Sequence, residues 1–485
     1  MMFSRLRRLG QTVSRVSSSK RSPSPKCRLR FHQLESRDTP SHTVTINGPP
    51  VLTGPEGTEV SFTSTVAGAT SPTYEWTVVK DMAATPFATG TTADFKFTPD
   101  DNGSYVIKLV VTDGATDATG GHTATDTETF TATNVAPTAT LTGPPVTVPG
   151  QAVSFTLGAT DPSTVDTDAG FTFKINWGDG TADQTVTGKS GIVVTHTFMT
   201  TGTNTVTLTA TDKDNGTSLP VTQTVGVQTV ALIDDTLNPG HKLLAVGGTA
   251  GDDTIKLIPG GAGKIRVQVN GESQGAFGPA GRIAVFGLAG NDDIHLAGSI
   301  RIPAWLDGGD GNDRLKGAKG NDVLLGGAGD DHLDGGQGAD VIIGGLGADR
   351  ILGGPGDDLM IAGTTSFDAV DTSLNEITKI WGSGGPIADR VDALRTSTTV
   401  ALTLDGTPPS VFDDGAADKI TGAAGGGWVF ADPVQDQITG NTKKLFVNDA
   451  AANTPPGQSS ANGSHGNGHG NGHGNGNGHG HGNGH

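Results

Sequence analysis

Alternating apolar and polar residues dominate the chain from residue 41 to about residue 228. Segments such as residues 58–66 and 104–112 place apolar side chains at every second position, between threonines and charged residues. This period is typical of half-buried antiparallel strands. The layout restarts after Asn134-Val-Ala-Pro137. We therefore predict two tandem immunoglobulin-like β-sandwiches, at residues 41–134 and 135–229.

The second sandwich carries three short motifs: Trp177-Gly-Asp-Gly180, His196-Thr-Phe198 and Val206-Thr-Leu-Thr-Ala-Thr-Asp212. Together they resemble the PKD family of immunoglobulin-like modules, in which Tyr usually stands where this chain has Phe198. The resemblance implies that Trp177 fills the core and that Gly178–Gly180 form a turn. The first sandwich has a core-type Trp76 but lacks the Trp-Gly-Asp-Gly motif, so we describe it as an immunoglobulin- or PKD-like sandwich.

A strict nine-residue repeat fills residues 308–361. Its six units are GGDGNDRLK, GAKGNDVLL, GGAGDDHLD, GGQGADVII, GGLGADRIL and GGPGDDLMI. Positions 1 and 4 are always Gly, position 6 is always Asp, and position 8 is always Leu, Ile or Met, whereas Ala318 replaces Gly at position 2. The repeat resembles the calcium-binding nonapeptide of RTX proteins, G-G-x-G-x-D-x-U-x.

The resemblance implies a parallel β-roll in which two repeats make one turn. Glycines allow the tight loop of positions 1–6, and the position-8 side chains form what we expect to be the only core. Loops of repeats n and n+2 then stack, and each gap offers carboxylate and carbonyl oxygens, which suit Ca²⁺. Four such gaps predict about four calcium ions. The predicted metal-site residues are Gly308, Gly311, Asp313, Gly317, Gly320, Asp322, Gly326, Gly329, Asp331, Gly335, Gly338, Asp340, Gly344, Gly347, Asp349, Gly353, Gly356 and Asp358.

The charge balance supports a cation as partner. Beyond residue 40 the chain has 48 acidic and 22 basic residues, which argues against nucleic acid. Residues 306–363 hold eleven Asp against four Lys or Arg. Without a cation these carboxylates repel one another, so calcium binding is expected to supply the folding free energy. Mg²⁺ is expected to bind poorly because the loops are flexible and rich in carbonyls.

The segments beside the repeats are less regular. Residues 230–306 read as a β-rich lead-in to the roll at 307–363. Residues 364–450 read as a small mixed α/β cap, in which Ser373 and Glu376 would form a helix-capping box. Degenerate repeats return around Asp418 and Asp436. We expect this cap to be metal-free, with calcium at Asp418 or Asp436 as the alternative.

Both ends of the chain are polar. Residues 1–40 are basic, and Leu34-Glu-Ser-Arg-Asp-Thr-Pro-Ser41 resembles an element near the start of many large bacterial surface proteins. This segment is read as an export or sorting signal, with an inert tail as the alternative. Residues 451–485 are rich in Gly, Asn and His, so we expect a disordered tail that chelates Zn²⁺ or Ni²⁺ or is a solvated spacer. Cys27 is the only cysteine, which excludes a disulfide framework.

The sequence predicts an all-β, non-enzymatic, calcium-binding protein of the extracellular space or cell surface. It contains no H-E-x-x-H motif. Its one G-x-S-x-G match, Gly271-Glu-Ser-Gln-Gly275, lies in the β-rich lead-in with no predicted helix after it, so it does not predict a nucleophile elbow. No run of 18 apolar residues predicts a transmembrane helix. Two alternatives stay open. One is an adhesin whose sandwiches bind cell-surface glycans or proteins, and the other is a secreted hydrolase with an unrecognised active site.

Overall fold

The computed structural model describes residues 42–114, 122–404, 409–422, 425–440, 445–448 and 450–451. The basic N-terminal segment and the His-rich tail, with the roles predicted for them, lie outside the described residues. The chain forms two compact units. Within the described residues, the first comprises 42–52, 59–97 and 104–131, and the second comprises 53–58, 98–103 and the chain from 132 onward.

The first sandwich is mainly antiparallel, as the alternation predicts. Its strands are β1 (Thr43–Asn47), β2 (Thr53–Pro55), β3 (Val60–Ala67), β4 (Pro72–Lys80), β5 (Ala88–Gly90), β6 (Asp94–Phe97), β7 (Gly103–Asp113) and β8 (His122–Thr133). They form sheets ordered β1-β3-β6 and β2-β8-β7-β4-β5. Trp76 is fully buried in the core, and its indole N–H donates to the carbonyl oxygen of Thr92 at 2.8 Å.

The second sandwich contains one short helix besides its strands. The elements are β9 (Thr138–Thr142), β10 (Val146–Thr147), β11 (Ala152–Thr160), α1 (Thr164–Ala169), β12 (Phe171–Asn176), β13 (Gln184–Gly188), β14 (Ile192–Thr197), β15 (Gly202–Thr211) and β16 (Val221–Val227). The sheets are ordered β10-β16-β15-β12-β13 and β14-β11-β9.

The Trp-Gly-Asp-Gly motif contributes a stacked tryptophan and a hydrogen-bonding aspartate around His196 in this sandwich. Trp177 is buried and lies parallel to the ring of His196, with 4.2 Å between their centroids. Asp179 fixes the imidazole through a 2.7 Å contact between Oδ2 and Nε2. Gly178 has a φ of +77°, and a Cβ there would lie 2.5 Å from the carbonyl oxygen of Thr205. The structural role inferred for Trp177 and the turn is therefore confirmed.

The remaining chain forms the roll and its cap. Its first elements are β17 (Val230–Asp234), β18 (Lys242–Gly247), β19 (Thr254–Gly261), β20 (Lys264–Val269), β21 (Glu272–Phe277), β22 (Arg282–Ala289), β23 (Asp293–Leu296), β24 (Ala304–Asp310), β25 (Arg314–Lys316), β26 (Val323–Ala328), β27 (His332–Asp334), β28 (Val341–Leu346), β29 (Arg350–Leu352) and β30 (Asp357–Ile361). The cap adds β31 (Thr364–Thr365), α2 (Asp371–Trp381), α3 (Ile387–Arg395), β32 (Val411–Phe412), β33 (Lys419–Gly422), β34 (Gly426–Phe430), β35 (Gln437–Gly440), β36 (Leu445–Val447) and β37 (Ala450–Ala451).

Two mainly parallel sheets form the roll, and successive repeats alternate between them. The sheets are ordered β17-β18-β22-β24-β26-β28-β30-β34-β36-β37 and β21-β20-β19-β23-β25-β27-β29-β33-β35. Leu324 pairs with Ile342, and Leu315 pairs with Leu333, so residues 18 positions apart lie side by side. All six position-8 side chains are fully buried between the sheets. Parallel pairing continues on both sides of the six repeats, from β18 to β36.

The roll has a second core, so the prediction that position 8 builds the only one is wrong. Strands β26, β28 and β30 are apolar at positions 7, 8 and 9, and their outward side chains are also buried. They pack with α2 and α3. Strands β25, β27 and β29 carry polar residues at most of these outward positions and leave them partly exposed. The roll therefore has one face covered by helices and one face in water.

Helix α2 begins earlier than the capping-box prediction requires. Its N-cap is Val370, which makes no side-chain cap hydrogen bond, and Ser373 lies inside the first turn. Burial of Leu374 and Trp381 sets the helix position instead, because their packing against the sheet outweighs one capping bond. The indole N–H of Trp381 donates to the carbonyl oxygen of Asp357, and the Arg390 guanidinium donates to Oδ2 of the same residue at 2.5 Å.

The Trp381→Ala substitution tests the second core. Removing a fully buried indole leaves a cavity against the roll, so the free energy of unfolding should fall by about 3–5 kcal/mol. Calorimetry of the full chain in calcium measures the change. Lys379→Ala, on the exposed face of the same helix, is the control and should alter the free energy by less than about 0.5 kcal/mol. Equal stability of the two variants would show that α2 does not support the roll.

Candidate metal centre

The position-6 aspartates form stacked rows of buried carboxylates. Oδ1 of Asp331 accepts the backbone N–H of Asp313 at 2.7 Å. The same bond, at 2.8–3.1 Å, joins the next members of each row: Asp340 to Asp322, Asp349 to Asp331, and Asp358 to Asp340. Repeats 1, 3 and 5 therefore supply one row and repeats 2, 4 and 6 supply the other.

The second carboxylate oxygen is left without a hydrogen bond in five of the six aspartates. Buried Oδ2 atoms without a partner belong to Asp313, Asp331, Asp340, Asp349 and Asp358. Asp322 differs because its Oδ2 accepts the backbone N–H of Ala318 at 2.8 Å. Gly327, at the same repeat position as Ala318, has a φ of +112°, a conformation that Ala318 does not adopt. The loop with Ala318 in place of Gly thus has a different backbone conformation, and its aspartate, Asp322, accepts a hydrogen bond through Oδ2.

Backbone carbonyl oxygens line the same space. A Cβ at Gly326 would lie 2.2 Å from the carbonyl oxygen of Gly344 and 2.3 Å from Oδ2 of Asp331. Position 4 is equally closed, since a Cβ at Gly338 would lie 1.9 Å from the carbonyl oxygen of Gly320. Each of the twelve candidate glycines would place a Cβ under 3.0 Å from a carbonyl or aspartate oxygen: Gly308, Gly311, Gly317, Gly320, Gly326, Gly329, Gly335, Gly338, Gly344, Gly347, Gly353 and Gly356.

This donor set fits calcium. All the ligands on offer are oxygens, from carboxylates and carbonyls, and Ca²⁺ takes 6–8 of them. A buried acceptor without a donor is costly, and a cation satisfies several at once. The residues present therefore fit the ion that the repeat implies.

Burial raises the pKa of these carboxyl groups strongly. Desolvation, followed by the charge of Asp322, raises the pKa of Asp340 to about 9. Desolvation likewise raises the pKa of Asp349 to about 8, of Asp331 and Asp358 to about 7, and of Asp322 to about 6. Near neutral pH, a metal-free roll therefore keeps some of the aspartates in both rows protonated. A bound cation favours their ionised form.

Two further aspartates extend one row beyond the candidate residues. Asp292 accepts the backbone N–H of Asp253 at 2.7 Å, and Asp418 accepts that of Asp349 at 2.7 Å. Both are buried, and each keeps an Oδ2 without a partner. Burial raises the pKa of Asp292 to about 7 and that of Asp418 to about 6. The Gly290-Asn-Asp292-Asp-Ile294 motif was the available signal for the first.

Among the described residues, no carboxylate continues the other row beyond Asp358. Strand β34 pairs with β30 so that Gly427 lies beside Asp358, where an aspartate would continue the row. Asp436 follows Asp418 in the first row, but its Oδ2 accepts the backbone N–H of Asp432 at 2.7 Å. The two rows therefore end differently at this end of the roll.

Family models match two parts of the chain. The RTX calcium-binding nonapeptide repeat matches residues 307–342 and 334–364, with four copies. The PKD domain matches residues 134–228. No curated protein matches the sequence.

The solved structures to which the chain is similar include small β modules. The PKD domain of an M14-like peptidase from a Thermoplasmatales archaeon is 27% identical, covering 20% of this chain and 98% of that one, with a TM-score of 0.17. The fibronectin(III)-like modules of Clostridium thermocellum CbhA are 20% identical over 38% and 94% of the two chains, with a TM-score of 0.17. A two-domain fibronectin type III segment of chicken tenascin is 16% identical over 38% and 98%, with a TM-score of 0.26.

The family models agree with the geometry at both places. The stacked carboxylates fall in the segment matched by the repeat, and the Trp177–His196–Asp179 stack falls in the segment matched by the PKD domain. The chain therefore carries RTX calcium-binding nonapeptide repeats at residues 307–364 and a PKD domain at residues 134–228.

Proposed function

We propose that this chain is a non-enzymatic structural or adhesive protein of the extracellular space or cell surface, whose β-roll folds when it binds calcium. One observation carries the proposal. Buried carboxylate oxygens without a donor recur every 18 residues along each row, at Asp313, Asp331 and Asp349 and at Asp340 and Asp358. A stack of this kind needs positive charge between its members.

The predicted residues would hold the ions between loops that stack on the same side. The gaps between repeats 1 and 3, 2 and 4, 3 and 5, and 4 and 6 would take about four ions. Asp292 and Asp418 would add ligands at the two ends of the longer row. Bound calcium supplies positive charge there, while the chain supplies the oxygens and positions them through the Oδ1 bonds.

Calcium-driven folding follows from the balance of charge and core. Eleven Asp against four basic residues in 306–363 oppose compaction, and glycine-rich loops lose much conformational entropy on folding. The position-8 core adds one buried side chain per nine residues, and the second core adds two more only in alternate repeats. Binding free energy at the carboxylates would offset this deficit.

The two matched families support an extracellular or surface location and a non-enzymatic role. Both matched families are non-catalytic modules that are typical of extracellular or surface proteins. Within the described residues, no helix has the length and apolar character needed to cross a membrane. A hydrolase activity would be detected by screening the full chain on ester, peptide and glycoside substrates.

Glycan binding by the sandwiches remains a separate hypothesis. Sugar recognition commonly uses exposed aromatic rings as stacking platforms. In the described residues of the two sandwiches, the large apolar side chains that are well exposed are non-aromatic, namely Val51, Met82, Val193, Met199 and Leu219. This surface adds no support for glycans as ligands, and a glycan array with the full chain would test them.

A calcium titration of the full chain tests the proposal. Circular dichroism should show a cooperative gain of β structure with several ions bound per chain, reversed by chelator and not reproduced by Mg²⁺. An affinity of roughly 10⁻⁴–10⁻³ M would fit an extracellular module. A flat titration, with β content unchanged by chelator, would contradict calcium-driven folding.

The Asp340→Asn variant sharpens this titration. The amide keeps Oδ1 but replaces the free oxygen with a nitrogen, so fewer ions should bind and folding should need more calcium. In chelator at neutral pH the same variant should be more stable than wild type, because it lacks a carboxyl group that must take up a proton when the metal-free roll folds. Asp94→Asn, at an exposed position of the first sandwich, is the control and should change neither quantity.

A rise in pH should destabilise the folded roll in chelator but should favour its folding in calcium. In chelator, the folded roll holds protons up to about pH 7–9, whereas unfolded carboxyls release them near pH 4. Stability in chelator should therefore fall as pH rises from 5 to 9, by at most about 1.4 kcal/mol per pH unit for each group. The calcium concentration at half-folding should also fall over this range, because protons compete with the ion. Parallel slopes in the two conditions would refute the role of these carboxylates.

A further inference from the structure

A second cluster of buried acidic side chains lies outside the roll. Glu56, Asp101 and Asp166 each offer a carboxylate oxygen, and these atoms lie within 4.8 Å of one another. The three residues come from distant parts of the sequence and meet inside the second compact unit. Glu56 and Asp166 are fully buried, and 8% of Asp101 is exposed.

Three carboxylate oxygens of this cluster, on Glu56 and Asp166, accept no hydrogen bond. Glu56 Oε1 accepts the backbone N–H of Val135 at 2.8 Å, but its Oε2 has no partner. Neither carboxylate oxygen of Asp166 accepts a hydrogen bond. Buried oxygens without donors also occur nearby, at Oδ2 of Asp161 and Oδ1 of Asn134. Every unsatisfied atom here is an oxygen acceptor, which is the condition that a hard cation satisfies.

One lysine supplies part of the required charge. The Lys213 ammonium donates to both oxygens of Asp101 at 2.8 and 2.9 Å, and it lies 3.5 Å from Oδ1 of Asp166. It also pairs with Asp214. The cluster therefore has several carboxylates and one ammonium group close to them. Among the described residues, that ammonium forms ion pairs with Asp101, Asp166 and Asp214 but not with Glu56.

Burial raises the pKa of two of these three carboxyl groups. Desolvation and the charges of Asp166 and Asp161 raise the pKa of Glu56. Desolvation also raises the pKa of Asp166, although Lys213 opposes the shift. Removing several carboxylates from water without enough counter-charge is costly.

We propose that Glu56, Asp101 and Asp166 bind a calcium ion at a site separate from the roll. The ligands are all oxygens, without the imidazole or thiolate that would favour zinc. The ion would tie the stretches around Glu56 and Asp101 to helix α1 and would share Asp101 with Lys213. The site has no residue in common with the β-roll, so it stands or falls independently of the function proposed above.

Isothermal titration of the full chain with CaCl₂ counts this ion. Glu56→Gln and Asp166→Asn should each bind one calcium ion fewer than wild type, while the calcium-induced circular dichroism change of the roll is retained. Asp168→Asn is the matched control on the same helix, because its carboxylate is 82% exposed. It should bind as many ions as wild type. Unchanged stoichiometry in both Glu56→Gln and Asp166→Asn would overturn the proposal.

The Lys213→Met variant separates the metal from the ammonium and remains informative if an acidic variant misfolds. If calcium occupies the cluster, losing the competing positive charge should tighten the extra site. Calcium should then raise the unfolding temperature of the sandwich transition more in this variant than in wild type. A lowered unfolding temperature that calcium does not restore would show that Lys213 alone neutralises the cluster, which would contradict a metal site.

Discussion

The structure depends on stacking like charges at a fixed spacing inside a protein. Each aspartate of a row uses Oδ1 to hold the backbone of the preceding turn, which fixes the register of the loops. The same bond brings the carboxylates together away from water, where their charges repel. The glycines are required because carbonyl oxygens occupy the space of a Cβ. The stacking of the aspartates therefore determines the shape of the loops, their register and the need for a bound cation.

A second constraint is the difference between the two faces of the roll. Repeats that feed one sheet are apolar at positions 7 to 9, and helices cover that sheet, whereas the other sheet faces water. Trp381 and Arg390 join the helices to Asp357 in the last full repeat. The cap thus closes one side of a thin solenoid that the inner core alone would stabilise weakly.

Much of this could be predicted from the sequence, because a strict period fixes which residues stack. The buried position-8 row, the paired sandwiches and the core Trp177 are confirmed. The second core was missed because alternate repeats were not assigned to separate sheets. Only that assignment places apolar triplets such as Val323–Leu325 together on one sheet and triplets such as Arg314–Lys316 together on the other. Asp292 was missed as a row member because 21 residues, not 18, separate it from Asp313. The Glu56 cluster has no periodic signal, because tertiary packing alone brings its residues together.

Hydrogen exchange of the full chain tests the central claim most directly, because the ladder amides are themselves the reporters. The backbone N–H groups of Asp313, Asp322 and Asp331 are protected only while the carboxylate rows are stacked. The account predicts strong protection of residues 307–363 in calcium and its loss in chelator, while β12 and β15 of the PKD domain stay protected. Protection of residues 307–363 that chelator leaves unchanged would contradict it.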